Sequence, residues 1–295
     1  MRVFLTGATG FVGSRVLPLL TAAGHEVIGL TRSESGERAL AAAGARAHRG
    51  TLEDLASLRA GAAAADAVIH TAFDHNFENF VANCEKDRQV ILAIGEALAG
   101  KGPLIITSGT AMGASKPGLP ASEDYFNASS PNPRAASEIA AQSLIDTGHD
   151  VRVVRLPQVH DTQKQGLVSP YIAMARSRGS VPYVGDGSNR WSAAHVDDVV
   201  KVFALALERG RSGQRYHAVA EEGVAAREVA EAIAQRFDIP TVSVAAQDAE
   251  KEFGWLSMFV GSDLPASSAL TRQRLGWTPQ GPGLIADITA MAADS

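Results

Sequence analysis

Gly7, Gly10 and Gly13, in the run TGATGFVG, have GxxGxxG spacing close to the start of a 295-residue chain. They lie between a short apolar run, MRVFLT, and a segment of helical periodicity. Each glycine then has a physical role. Gly7 permits a tight turn, Gly10 lets the backbone approach a diphosphate, and Gly13 lets the helix pack closely on the strand. A diphosphate would rest on the free N–H groups of the loop and first helical turn, around Thr9, Phe11 and Val12. In this strand–turn–helix setting the spacing predicts a dinucleotide cofactor. The end of the second strand selects which one. An acidic residue there would bond a ribose 2′-OH, but the run GLTRSES places Arg32 and Ser33 at that point. A guanidinium can hold a 2′-phosphate by charge-assisted hydrogen bonds, so NADP(H) is the expected cofactor. A solvated surface arginine is the plainer alternative, and Glu34 and Glu37 follow closely.

The elements that must position these residues alternate. Met1–Thr6 reads as a buried parallel strand. Phe11–Ala23 reads as a helix with Val12, Val16, Leu19 and Leu20 on one face, and Glu26–Leu30 as a second strand. Helix Glu34–Ala43, strand Ala45–His48, short helix Leu52–Arg59 and strand Ala67–His70 follow. Then come the long helix Asn76–Ala99, strand Leu104–Thr107, helix Ala135–Asp146 and strand Val151–Leu156. This alternation predicts an α/β fold, a doubly wound parallel sheet of the Rossmann type with right-handed crossovers.

After Pro157 the pattern changes. Helices are interrupted by loops carrying Pro, Gly and aromatic residues, and Trp191, Trp255 and Trp277 all lie there. The expected division is a dinucleotide-binding unit over 1–157, to which later elements can return, and a smaller, mainly substrate-binding lobe over 158–295. Tyr171, Asn189, Arg190, Trp191, Trp255 and Met258 are its candidate substrate residues. An aromatic lining would suit a hydrophobic substrate better than a nucleotide sugar, although loop aromatics are often core.

Composition excludes several classes. Hydrophobic residues make up 45%, charged residues 20%, and the net charge is −5 with no basic block, which argues against a nucleic-acid partner. No apolar run approaches the roughly 20 residues of a membrane span, and no secretory pattern precedes the first strand, so a cytoplasmic location is expected. The single cysteine, Cys84, permits no internal disulfide and reads as a buried small hydrophobe. No Cys/His cluster has metal-ligand spacing.

TGATGFVG, AVIHTA after the fourth strand, IITSGTAMG after the fifth, VRLPQVH after the sixth and HVDDV at His195–Val199 occur in this order. Together with TRQRLGWTP at Thr271–Pro279, the chain resembles an extended or atypical short-chain dehydrogenase/reductase of the NAD-dependent epimerase/dehydratase type. The resemblance implies that Leu52 touches the adenine, with Thr51 in place of the usual Asp. It implies that Thr71, Ala72 and Phe73 line the pyrophosphate and ribose, with Thr107 also beside the cofactor. Pro157, Gln158 and Val159 would flank the nicotinamide, and His160 replaces a common Tyr. Asp197 and Asp198 would brace the site from below. A homodimer through the long helices is suggested by the same analogy.

The catalytic pattern of that family is a Ser or Thr followed by a YxxxK pair. Ser108 matches the first. Aligning Ser137 with the serine that often precedes the family's Lys puts Arg134 at the Tyr position and Glu138 at the Lys position. None of the four tyrosines (125, 171, 183, 216) is followed four residues later by Lys. Two readings stay open. Arg134 and Glu138 form a surface i,i+4 ion pair, or Arg134 is a fixed cation beside the nicotinamide, held by Glu138. An arginine is a poor proton donor, its pKa exceeding about 12, so the proton would come from His75, Tyr125, His160 or water. Asp74 would orient His75 or cap the following helix. The expected function is an NADPH-dependent oxidoreductase passing hydride to a small organic C=O, or to C=N or C=C. The alternatives are an NADP-binding sensor or regulator without redox chemistry, and a sugar-nucleotide epimerase or dehydratase, which the missing Tyr disfavours.

Overall fold

Apolar strands that bury both faces need helices on both sides, and a computed structural model, which describes residues 1–292, shows that solution. The strands β1 (Arg2–Thr6), β2 (Glu26–Thr31), β3 (Arg46–Arg49), β4 (Ala67–His70), β5 (Leu104–Gly109) and β6 (Val151–Leu156) alternate with helices. These are α1 (Gly13–Ala22), α2 (Glu34–Ala42), α3 (Leu55–Ala63), α4 (Phe80–Leu98) and α5 (Ala135–Asp146). All six strands are parallel, in the spatial order 6-5-4-1-2-3, the doubly wound arrangement. The strands and helices expected up to Leu156 are present, with ends shifted by a few residues. The largest shift is at the long helix. Residues 77–79 form a separate 3-10 turn, and α4 starts at Phe80.

The chain then builds β7 (Gln158–His160), α6 (Val168–Arg178), β8 (Val181–Val184), β9 (Arg190–His195), α7 (Val196–Arg209), β10 (Arg215–His217), β11 (Glu221–Ala225), α8 (Ala226–Phe237) and β12 (Thr241–Val244). Short helices α9 (Ala249–Phe253), α10 (Ser257–Val260), α11 (Ala269–Leu275) and α12 (Leu284–Ala290) complete it. β10 pairs in parallel with β6 as a seventh strand of the main sheet. Helix α7 packs beside α1, burying Val199, Val202, Phe203 and Ala206 in the same core as Val16 and Leu20. Trp277 joins that core, its indole N–H donating to Asp198 O at 3.0 Å. The smaller lobe holds two little sheets, β11-β9-β7 and β12-β8, around a core that includes Tyr171, Ile172, Trp191, Ile233 and Leu256.

A buried polar node ties α5 to the sheet edge. Arg155 and Glu138, both fully enclosed, form a bidentate pair with Nε–Oε1 2.7 Å and Nη2–Oε2 2.8 Å. Arg215 adds a bond to Oε2 at 2.8 Å, and His217 Nε2 lies 3.1 Å from Arg155. Burial alone would raise the Glu138 pKa, but Arg155 and Arg215 outweigh it and hold the carboxyl below its ordinary 4.5. Burial pushes His217 down to about 3 from an ordinary 6.5. The two groups therefore act in the same direction. Below pH 6.5 the unfolded chain takes up a proton that native His217 refuses, and below pH 4.5 it takes up one that native Glu138 refuses, so stability falls with pH through both ranges. Glu138→Gln, which removes the charge and leaves two buried guanidiniums, should lose about 3–5 kcal/mol in urea unfolding at neutral pH. It should also flatten the acid loss below 4.5.

Candidate active site

The loop between β1 and α1 is as tight as its glycines demand. Gly7 has φ +67°, and a Cβ there would lie 2.8 Å from Ala72 N. A Cβ on Gly13 would stand 2.1 Å from Gly7 O, closer than any atoms pack. Helix α1 has no side-chain cap and no acidic residue in its first turn, so its positive end is open to an anion. At the end of β2, Arg32 is exposed and makes no ion pair among the described residues. Ser33 caps α2, its Oγ accepting from Gly36 N at 3.1 Å, and Glu37 is bound to Arg49 at 2.9 Å. The acidic residues beside Arg32 thus do not neutralise it directly. Thr71 Oγ1 donates to Thr6 O at 2.8 Å, fixing the β4 turn against the glycine loop. Leu52, half-buried, packs on the core at the end of β3.

Arg134 is held from three sides. Its Nη1 donates to Asp87 Oδ2 and to Ser137 Oγ, both at 2.6 Å, and its Nη2 donates to Thr107 O at 2.8 Å. The guanidinium lies over the Phe73 ring, with Cζ 4.1 Å from the centroid. Asp87 is itself buried, accepts from Ser137 Oγ at 2.6 Å and faces His70 Nε2 at 2.9 Å. His70 Nδ1 lies 2.7 Å from Thr6 Oγ1. Burial would raise the Asp87 pKa, but Arg134 and His70 overcome it and hold the carboxylate well below the usual range. The result is a fixed cation at the end of β5. Beside it Ser108 is buried, and its Oγ has no hydrogen-bond partner among the described residues. An orphaned hydroxyl at that point fits a cleft made to receive a polar ligand group.

Several sequence-predicted roles change. Glu138 does not touch Arg134, either as a surface ion pair or as its support. It is fully buried against Arg155 and Arg215, and Asp87 with Ser137 takes the supporting part. Asp74 neither pairs with His75 nor caps α4 itself. It accepts from Asn76 N at 3.1 Å and binds Lys86 at 3.1 Å. His160 is fully enclosed, Nδ1 2.6 Å from Asp287, and is no proton donor to an open cleft. Tyr171 is lobe core, its hydroxyl donating to Pro182 O at 2.5 Å. Trp191 is buried in the same core. Arg190 is bound to Asp263 through Nε at 3.0 Å and Nη2 at 2.8 Å. Tyr125 is exposed, and its carbonyl accepts from Arg155 Nη2 at 2.9 Å. Asp198 ties α7 to residues 280–281, accepting from Gln280 N at 2.8 Å and Gly281 N at 2.6 Å, whereas Asp197 is exposed. Cys84 is buried, and burial pushes its thiol up to about 11.

His75 and Trp255 do come together at one wall. The Phe73 and His75 rings are 5.3 Å apart, and Phe77 stacks on Trp255 at 4.7 Å with the planes 5° from parallel. Phe259 closes the group against Phe77 at 5.7 Å. Met258 beside it is half exposed. Desolvation, then Arg134 and Lys164, lower the His75 pKa. Asp87 and His70 carry no mark in the sequence, because their spacing to Arg134 or Thr6 belongs to no local motif, whereas Ser137 is marked by its place before Glu138 and not as a partner of Arg134.

The model of the NAD dependent epimerase/dehydratase family matches residues 3–220. The chain belongs to the NAD-dependent epimerase/dehydratase family. Uncharacterized protein C2A9.02 of Schizosaccharomyces pombe is 44% identical over 294 residues, 99% of this chain and 99% of that one. The 4-hydroxy-2-methyl-3-oxo-4-farnesyl-3,4-dihydroquinoline-1-oxide ketoreductase of Stigmatella aurantiaca is 28% identical over 229 residues, 73% of this chain and 67% of its own. Among solved structures, the dTDP-glucose 4,6-dehydratase DesIV of Streptomyces venezuelae, with NAD and TYD bound, superposes with a TM-score of 0.78. It covers 99% of this chain and 95% of its own at 22% identity, a likeness of fold. Other relatives are epimerases, so the family alone does not choose between reductase and epimerase chemistry. Among the described residues no helix is long and apolar enough to cross a membrane.

The glycine geometry yields a direct test. Gly13→Ala should drive Gly7 out of place, weakening nucleotide binding by at least about tenfold with a stability loss of about 1–3 kcal/mol. Fluorescence titration with NADPH and a thermal melt would read both.

Proposed function

We propose that this protein is an oxidoreductase that binds NADP(H) and reduces a small, apolar organic carbonyl compound. The observation that carries the reading is the immobilised Arg134, a charged fork at the end of β5 fixed by Asp87, Ser137 and the Thr107 carbonyl, at the position that sequence spacing matches to the family's Tyr. Bound NADPH would supply the hydride. Gly7 and Gly13 admit its diphosphate, and Arg32, exposed and unpaired among the described residues, would take the 2′-phosphate.

The residues of the chain then divide the remaining work. Arg134 stabilises negative charge growing on the substrate oxygen, because its own geometry needs no rearrangement during reaction. Ser108, buried and without a partner, donates a hydrogen bond to the same oxygen. Arg134 does not give up a proton. The proton comes from His75 or from water at the aromatic wall. Phe73, Phe77, Trp255 and Phe259 offer that substrate flat apolar surface rather than the hydrogen bonds a sugar needs. The name of the Stigmatella ketoreductase, which describes a farnesylated ring ketone, agrees with such a substrate. An epimerase or dehydratase reading is weaker, since that chemistry needs a base that can take up and return protons, and arginine is not one.

Two outcomes test this. NADPH should bind more tightly than NADH, by about tenfold or more, and Arg32→Ala should remove the difference; calorimetry giving equal or reversed wild-type affinities overturns the NADP assignment. In steady-state kinetics with a panel of apolar ketones, Arg134→Lys should lower kcat by about a hundredfold while NADPH affinity changes little. Loss of cofactor binding in step with turnover would remove Arg134 from catalysis. Absence of turnover with every acceptor, alongside an NADPH-driven conformational change, would favour a sensor.

A further inference from the structure

Arg15, Asp161 and Lys164 lie beside the glycine loop, and none of them has a part in the reading so far. Arg15, on the first turn of α1, donates through Nη1 to Phe11 O at 3.0 Å and through Nη2 to Asp161 Oδ2 at 2.5 Å. Asp161 belongs to the segment that leaves β7, far away in sequence. This ion pair therefore fastens residues 161–166 over the N-terminal end of α1. The segment is bonded to itself. Asp161 Oδ1 accepts from Gln163 N at 2.8 Å and from Lys164 N at 2.7 Å. Gln165, fully buried, donates to Asp161 O at 2.8 Å. At the tip of this segment Lys164 stands over the Phe11 ring, Nζ 5.6 Å from its centroid, on the ring that Arg15 also covers at 4.8 Å.

The charges around this point are unevenly matched. Asp161 is taken by Arg15, and Asp87, the carboxylate nearest Arg134, is taken by Arg134. Lys164 makes no ion pair among the described residues. His75 feels both Arg134 and Lys164 as like charges. An exposed ammonium beside Phe11 is thus left facing the space above the glycine loop.

We propose that residues 161–166 form a clasp on the bound dinucleotide, locked by the Arg15–Asp161 ion pair, with the Lys164 ammonium on the cofactor diphosphate. This rests on the reading that a dinucleotide lies on Gly7–Gly13. The ligand class is a nucleoside diphosphate ester. A substrate carboxylate or phosphate is the other source of the same anionic chemistry, and the experiment separates the two.

The test uses the full chain and three ligands: NADPH, 2′-phospho-ADP-ribose, which keeps the diphosphate but lacks nicotinamide, and adenosine 2′-monophosphate, which lacks the diphosphate. Lys164→Ala, at an exposed site that leaves folding unaffected, should weaken the first two by about tenfold and leave the third unchanged. Asp161→Asn, which removes the charge that locks the clasp, should speed NADPH release in stopped-flow measurements, with the circular dichroism spectrum checking that the fold persists. Unchanged NADPH and 2′-phospho-ADP-ribose affinities in Lys164→Ala overturn the clasp. A raised substrate KM with unchanged NADPH affinity also overturns it and assigns Lys164 to the substrate. If wild-type protein binds neither NADPH nor NADH, the dinucleotide reading falls and takes the clasp with it.

Discussion

A buried carboxylate must be compensated or it does not stay charged, and the charge on Asp87 organises the candidate site. Desolvating such an ion costs several kcal/mol. Asp87 meets that cost with Arg134, Ser137 and His70. The partners come from separate elements, so one carboxylate on α4 joins the ends of β4 and β5 to the start of α5. It also gives a physical account of how an arginine is held at the start of α5. A guanidinium there needs a counter-ion and a flat surface, and Asp87 and the Phe73 ring supply them.

Helix α5 carries two buried charge systems that never meet. Arg134 sits before the first turn and reaches across to α4. Glu138, one turn later, faces the edge of the sheet, where Arg155 and Arg215 enclose it. The first system joins α5 to α4 and the end of β5, and the second joins it to β6 and β10. An i,i+4 pairing on the helix surface would have left two guanidiniums buried without a carboxylate. The observed division satisfies all of them.

The geometry of the glycine loop was legible because it is set locally. Tight turn and helix start lie within seven residues, and the steric reasons for Gly7 and Gly13 act inside that window. Five of the six strands up to Leu156 were legible for a similar reason, being largely apolar, buried and separated by helical periodicity; β3, RAHR and mostly exposed, was legible only from its place in the alternation. The partners of Arg134 and Glu138 were not. Asp87 lies 47 residues from Arg134, and Arg155 and Arg215 lie 17 and 77 from Glu138. Spacing at this range carries no signal in one sequence. β10 was missed because it has three residues, two of them charged or polar. Tyr171 and Trp191 suggested a substrate lining by type, but a small lobe with two short sheets needs large side chains for its own core, and it used them there.

The return of α7, β10 and Trp277 to the main sheet sets an order of events during synthesis. The first 157 residues emerge from the ribosome with the face of β1 and α1 still uncovered, because Phe203 and Trp277 have yet to be made. The edge of β6 likewise waits for β10. The nascent N-terminal half is therefore a sheet whose β6 edge, beside the permanent edge at β3, and one apolar face await later partners, the kind of surface that chaperones hold. Docking of the late segments, rather than completion of the first six strands, is the step that closes the main sheet and its core.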